Sequence, residues 1–172
     1  MILTSSEIRR MVAQRRIIIE PYLPEHVEPN SYGCRLGDTL LEYPSGSVDA
    51  HLQAQVVEHR IPPEGFVLMP NRFYLGSTME RIGGVDLASE LYANVSAALC
   101  GIFVQTSAPL GHTGAVIRWT LEILVAQPVR VYAGAKLVKV CFWVNHGDVT
   151  TYKGRYNGST DVVPSKIFQD ER

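Results

Sequence analysis

The chain has 172 residues, about one domain's worth and enough to bury a core without disulfide staples. Sixteen Lys and Arg against seventeen Asp and Glu leave a formal charge of -1, which excludes the broad basic field that a nucleic-acid polymer or an anionic membrane requires. An anionic ligand must be met by a few local groups.

Cys34, Cys100 and Cys141 are widely spaced, each inside an apolar run, and read as reduced, buried thiols of a cytoplasmic protein. The His-x-Glu and Pro-Cys-x-x-Cys elements of zinc deaminases are absent, and the five histidines show no metal-ligand spacing. Zinc is therefore not expected. The amino-terminal segment lacks a signal-peptide pattern and no apolar run reaches transmembrane length, so the expected compartment is the cytoplasm.

In chain order, the first predicted element is a helix. Thr4 and Glu7 have capping-box spacing, Ile8, Met11 and Val12 form an apolar stripe, and Arg15–Arg16 suit a helix carboxyl end. From Arg16 to Gly46, short β-prone runs alternate with Pro, Asn and Gly, and the texture returns in "GFVLMPNRFYLGSTMERI". Many short strands with irregular turns predict a mainly β fold, a barrel or jelly roll. Between these stretches, "HLQAQVVEHRIPPEG" has weaker strand character and is expected to be an arm or long loop. No repeat or linker divides residues 1–172, so one domain is expected, with 152–172 as a carboxy-terminal lid or loose tail.

The stretch "GAVIRWTLEILVAQP" predicts a strand. Ala115, Ile117, Trp119, Leu121, Ile123 and Val125 point one way, and Val116, Arg118, Thr120, Glu122 and Leu124 the other. Periodicity alone allows the second face to be a solvated exterior or the wall of a site.

Several segments together resemble the dCTP deaminase and trimeric dUTPase superfamily. "MILTSSEI" is similar to its opening segment and "VEPNSYGCRLGD" to its Pro-x-Ser-Tyr-Asp-Val-x-Leu-Gly segment. "MPNRFYLGSTMERI" resembles its Pro-x-x-x-x-Leu-x-x-Thr-x-Glu stretch, "TLEILVAQPVRVY" the strand carrying its catalytic glutamate, and "RYNGSTDVVPSKI" its closing segment. The resemblance implies a distorted β-barrel protomer in a homotrimer, with deoxynucleotide sites between subunits and Mg²⁺ on the nucleotide phosphates, not held directly by the protein. It places Glu122 where deaminating members keep the glutamate that activates water for attack on C4 of cytosine. A carboxylate shielded from bulk water suits such a proton transfer.

The departures are concentrated. The superfamily's Gly-Arg-Ser-Ser-x-x-Arg phosphate motif aligns with "ANVSAAL", leaving Ser96 as the surviving match, with Asn94 where the first arginine is expected and Val95 and Leu99 unable to donate. The expected aspartate of the Ile-Asp-x-Gly segment is His112, the arginine before it Leu110, the Asp of Ser-Tyr-Asp is Gly33, and the closing glutamine is Ser159. A hydrogen bond to a charged group contributes roughly 1.5–3 kcal/mol, so losing two or three costs about 4–8 kcal/mol. That corresponds to roughly three to five orders of magnitude in triphosphate affinity.

Arg72, Arg81, Arg118, Lys153 and Arg155 are cations that would rebuild an anion site, or are solvated surface charges. The candidate substrate-binding set is Asn94, Ser96, Thr106, Ala108, His112, Arg118, Thr120, Arg155, Tyr156 and Ser159, with Glu122 as the catalytic candidate. His112 is either a base near neutral pH or an exposed turn residue. Arg155 and Tyr156 match the Lys-Tyr of the closing segment and would reach phosphates and base if the tail folds down. Three readings follow: a deaminase of a cytosine nucleotide, a dUTPase-like hydrolase using His112 or Glu122, and a non-catalytic trimeric nucleotide-binding homologue.

Overall fold

A computed structural model describes residues 1–44, 48–104 and 107–170. Helix α1 (Ser5–Ala13) leads into β1 (Ile17–Glu20), β2 (Val27–Glu28), β3 (Ser31–Arg35), β4 (Thr39–Glu42), β5 (Val57–Arg60) and β6 (Phe66–Leu68). Then follow β7 (Tyr74–Gly84), β8 (Leu87–Ala93), a short helix α2 (Val95–Leu99), β9 (Ile102–Val104), β10 (Leu110–Gly111), β11 (Ile117–Val125), β12 (Val129–Val131) and β13 (Lys136–Val144).

The strands form a six-stranded sheet in the order β5-β4-β7-β11-β9, with β1 also on β7, and a five-stranded sheet in the order β10-β8-β13-β3-β2. A two-stranded ribbon joins β12 to β6. Every pair is antiparallel, so alternate residues of each strand face the core. The sheets enclose one apolar core, including Tyr32, Leu36, Leu40, Ile82, Leu91, Leu121, Val140 and Phe142. The fold is mainly β, a distorted barrel, as the strand pattern predicted.

Helix α1 buries Ile8 and Met11, as its stripe predicted. Its capping box does not form. Thr4 is the N-cap without a side-chain cap bond, its hydroxyl lies 3.2 Å from that of Ser6, and Glu7 pairs with Arg10 instead. An i,i+3 ion pair on the helix surface has drawn the carboxylate from the backbone N–H it would otherwise accept.

Two further expectations are corrected. The loop expected over "HLQAQVVEHRIPPEG" contains β5, which adds to β4 at the sheet edge in the register Thr39↔Arg60 to Glu42↔Val57. An edge strand needs only one apolar face and tolerates the charges of "VEHR". Cys34 and Cys141 are buried, but Cys100 is exposed at the carboxyl end of α2, too short a helix to cover it.

The strands nearest the candidate site are held by a buried ion pair and a bulge. Glu80 of β7 is fully buried and accepts from Arg35 Nε at 2.7 Å and from the Arg35 backbone N–H at 2.9 Å. The β7–β11 register shifts between Arg118 and Thr120. In that gap the Trp119 N–H donates to Thr78 Oγ1 at 3.0 Å, and the Trp119 indole donates to the Ile82 carbonyl at 3.1 Å. A bulge of this kind keeps the backbone satisfied while re-aiming neighbouring side chains. Gly111 is required beside it, because a Cβ there would lie 2.2 Å from the Trp119 ring.

Candidate active site

The burial of β11 alternates along its length: Trp119, Leu121, Ile123 and Val125 go to the core. The opposite face, Arg118, Thr120 and Glu122, is only partly exposed. It forms one wall of a cavity of about 480 Å³. Glu122 is therefore a half-buried carboxylate in a concave site, and the face that periodicity left ambiguous is a site wall.

The rest of the cavity is largely aromatic. Tyr43 and Phe73 stack with centroids 6.1 Å apart and planes 5° from parallel, brought together because Glu42 pairs with Tyr74 across β4 and β7. His112 and Tyr152 stack at 5.5 Å and 20°. Trp119 and Tyr156 complete a lining suited to a planar ring.

Beyond β13 the chain returns over β11. Tyr152 N–H donates to the Thr113 carbonyl at 2.8 Å, Arg118 N–H to the Ser159 carbonyl at 3.0 Å, and Val163 N–H to Thr120 Oγ1 at 3.0 Å. Ser77 Oγ, opposite Thr120 in the β7–β11 register, donates to Asp161 Oδ1 at 3.1 Å. Ser165 N–H reaches the Tyr43 hydroxyl at 3.0 Å. Residues 152–165 thus lie along the site, fastened by backbone and side-chain hydrogen bonds that run in both directions between tail and barrel.

Of the residues singled out from the sequence, Ala108, His112, Arg118, Thr120, Glu122, Tyr156 and Ser159 line this one cavity. Arg155 does not: its guanidinium pairs with Asp170 and donates to the Lys166 carbonyl at 2.7 Å. Asn94 and Ser96 lie at α2, away from the cavity of their own chain. Asn94 is buried and its amide donates to the Lys136 carbonyl at 3.0 Å, a structural tie for the turn. Ser96 is exposed, flanked by Val95 at 63% and Leu99 at 82% exposure, so the segment presents apolar side chains at the positions that the resemblance aligns with a serine and the second arginine. Thr106 lies outside the described residues.

Tyr43, Phe73 and Tyr152 were not singled out. The first two are 30 positions apart and meet only through strand register, which residue spacing does not reveal. Among the described residues no group of three or more His, Cys, Asp or Glu side chains is placed to hold a metal ion.

A family model described as dCTP deaminase-like matches residues 2–145. The chain belongs to this dCTP deaminase-like family. It is 33% identical over 171 residues to a "dCTP deaminase, dUMP-forming" of Hathewaya histolytica, with 99% of each chain covered. It is 36% identical to a protein of the same name from Leptospira biflexa, covering 99% of this chain and 98% of the relative. The solved structure of 2'-deoxycytidine 5'-triphosphate deaminase from Agrobacterium tumefaciens superposes with a TM-score of 0.67 at 22% identity, over 84% of this chain and 48% of that one. The structural likeness establishes the fold. Family membership rests on the sequence matches, which run nearly end to end in the two relatives.

Proposed function

We propose that this dCTP deaminase-like protein hydrolytically deaminates a cytosine deoxynucleotide, with Glu122 as the base. One observation carries the reading: Glu122 stands in the wall of an aromatic-lined cavity, on the strand that the sequence resemblance matches to the superfamily's catalytic strand. The relatives that are named as dCTP deaminases supply the base and the reaction.

In this reading the pyrimidine lies among the aromatic side chains with C4 toward Glu122. The carboxylate takes a proton from water as the oxygen bonds to C4. It returns that proton to the exocyclic nitrogen, the C4–N bond breaks to release ammonia, and the remaining hydroxyl proton passes to N3 as the C4 carbonyl forms, which leaves the uracil nucleotide. Mg²⁺ belongs to this proposal only as a companion of the ligand's phosphates. The tail over β11 acts as the lid, and the working unit is a homotrimer. Exposed Val95, Leu99 and Phe103 give association an apolar surface to cover. A monomeric mass by light scattering at micromolar concentration would remove the trimer from the account.

A second reading has its own support. The cation-free α2 segment favours a homologue that binds a nucleotide without turning it over. A panel of cytosine and uracil nucleotides at each phosphate level, with Mg²⁺, separates the readings. Ammonia release selects the deaminase, and phosphate or pyrophosphate release selects a dUTPase-like hydrolase. Absence of both, with binding intact, selects the non-catalytic homologue.

A further inference from the structure

Resting on the deaminase reading for the base, we infer that the site is built for a cytosine nucleoside carrying one phosphate and not three, with Arg118 as its anion anchor. Arg118 is the only Lys or Arg among the described residues lining the cavity, and its guanidinium pairs with no carboxylate among the described residues. It shares a strand face with Glu122. Four residues along a strand separate their Cα atoms by roughly 13 Å, which leaves room between the two side-chain tips for a base and its sugar. The Arg118 backbone is fixed by its bond to Ser159, so the anchor is set where the tail crosses.

The charge balance of the cavity limits the ligand. Arg118 and Glu122 cancel, and Asp161 places a further carboxylate at Ser77, beside Thr120. A monophosphate carries roughly two negative charges near neutral pH, and one guanidinium meets it with a bidentate pair. Each further phosphate adds charge for which no described cation stands ready. Arg155 is held by Asp170 and the Lys166 carbonyl. Lys166 donates to the Arg155 carbonyl at 3.0 Å and lies over the Tyr156 ring. Arg72 is paired with Glu42 at 2.8 Å, and Lys153 lies outside the lining. Residues 93–99 contain no Lys or Arg, so a second copy presenting that segment to the cavity would bring no cation with it.

The test is equilibrium binding to the full chain, followed by calorimetry, of deoxycytidine, dCMP and dCTP with Mg²⁺. Binding is measured on the wild type, Glu122→Gln, Arg118→Gln and Arg118→Lys, with ammonia release recorded in parallel. We expect dCMP to bind at least tenfold more tightly than dCTP. Arg118→Gln should weaken dCMP by about 10- to 100-fold, erasing its advantage over deoxycytidine, and Arg118→Lys should restore part of it. Binding of dCTP as tight as dCMP overturns the inference, as does an Arg118→Gln loss shared equally by deoxycytidine and dCMP, or no binding of any of the three. Selective, Arg118-dependent dCMP binding without ammonia sustains the phosphate assignment and sinks the deaminase reading, so the two fail separately.

Discussion

The β7–β11 wall and the α2 segment differ in what they offer a ligand. The wall has a carboxylate in a cavity, a bulge that aims its neighbours, and close behind it an ion pair whose Glu80 carboxylate is fully buried. The α2 segment is tied to Lys136 by Asn94, but offers Val95, Ser96 and Leu99 to the surface. The contrast teaches that a polar cavity face and an exposed apolar segment occupy separate elements, so one can be rewritten while the other stands.

The largest expected effect on stability lies behind the wall. Glu80→Ala leaves Arg35 a partly buried charge without its carboxylate and should cost about 3–5 kcal/mol in denaturant unfolding. Ala98→Ser on exposed α2 should change stability by less than about 0.5 kcal/mol. Equal effects would erase the distinction between a structural wall and a segment that carries little of the protomer's own stability.

Restoring what α2 lacks is the next step down. Val95→Arg combined with Leu99→Arg should tighten dCTP by about 10- to 100-fold, one or two charge-assisted hydrogen bonds' worth, while dCMP binding changes less. Calorimetry showing no gain for dCTP would mean that α2 does not reach the phosphates in the assembled protein.

Smaller still is the tail's hold on the wall. Thr120→Val removes the acceptor of the Val163 N–H. About 1 kcal/mol of docking should be lost, read as a roughly fivefold faster proteolytic clipping within residues 152–165. Unchanged clipping would show that this bond does not hold the tail.

The mildest contrast is in thiol chemistry. Burial pushes the Cys34 thiol well above its ordinary pKa, and Cys141 is raised by burial as well. A raised pKa keeps both as neutral thiols through the neutral range, so neither supplies the reactive thiolate there. Exposed Cys100 on α2 should take up one equivalent of an alkylating reagent at neutral pH, with the other two reacting only on unfolding. Early labelling of Cys34, followed by mass spectrometry, would show that the barrel opens.

Much of this contrast is legible in the sequence, for identifiable reasons. The two-residue period from Ile117 to Val125 is strong because one face is entirely apolar, and it separates the core face from the face that lines the cavity. The resemblance places Glu122 and the altered 93–99 segment. Composition does not reveal β5, whose charged residues suit an edge, or the exposure of Cys100, which follows from α2 being a single turn. Nor does spacing predict the Tyr43–Phe73 stack, since it depends on which strands pair. The Thr4–Glu7 motif fails because Arg10, three residues beyond Glu7, competes for the carboxylate.

The central claim is that the wall does chemistry, and ammonia release tests it most directly. Wild type and Glu122→Gln, matched for fold and mass, are incubated with dCMP and dCTP under identical conditions. The account predicts ammonia from the wild type and a loss of at least about 100-fold in the variant, because amide and carboxylate are nearly the same size but only one is a base. Equal ammonia release by the two proteins, or none from the wild type while nucleotide stays bound, would contradict it.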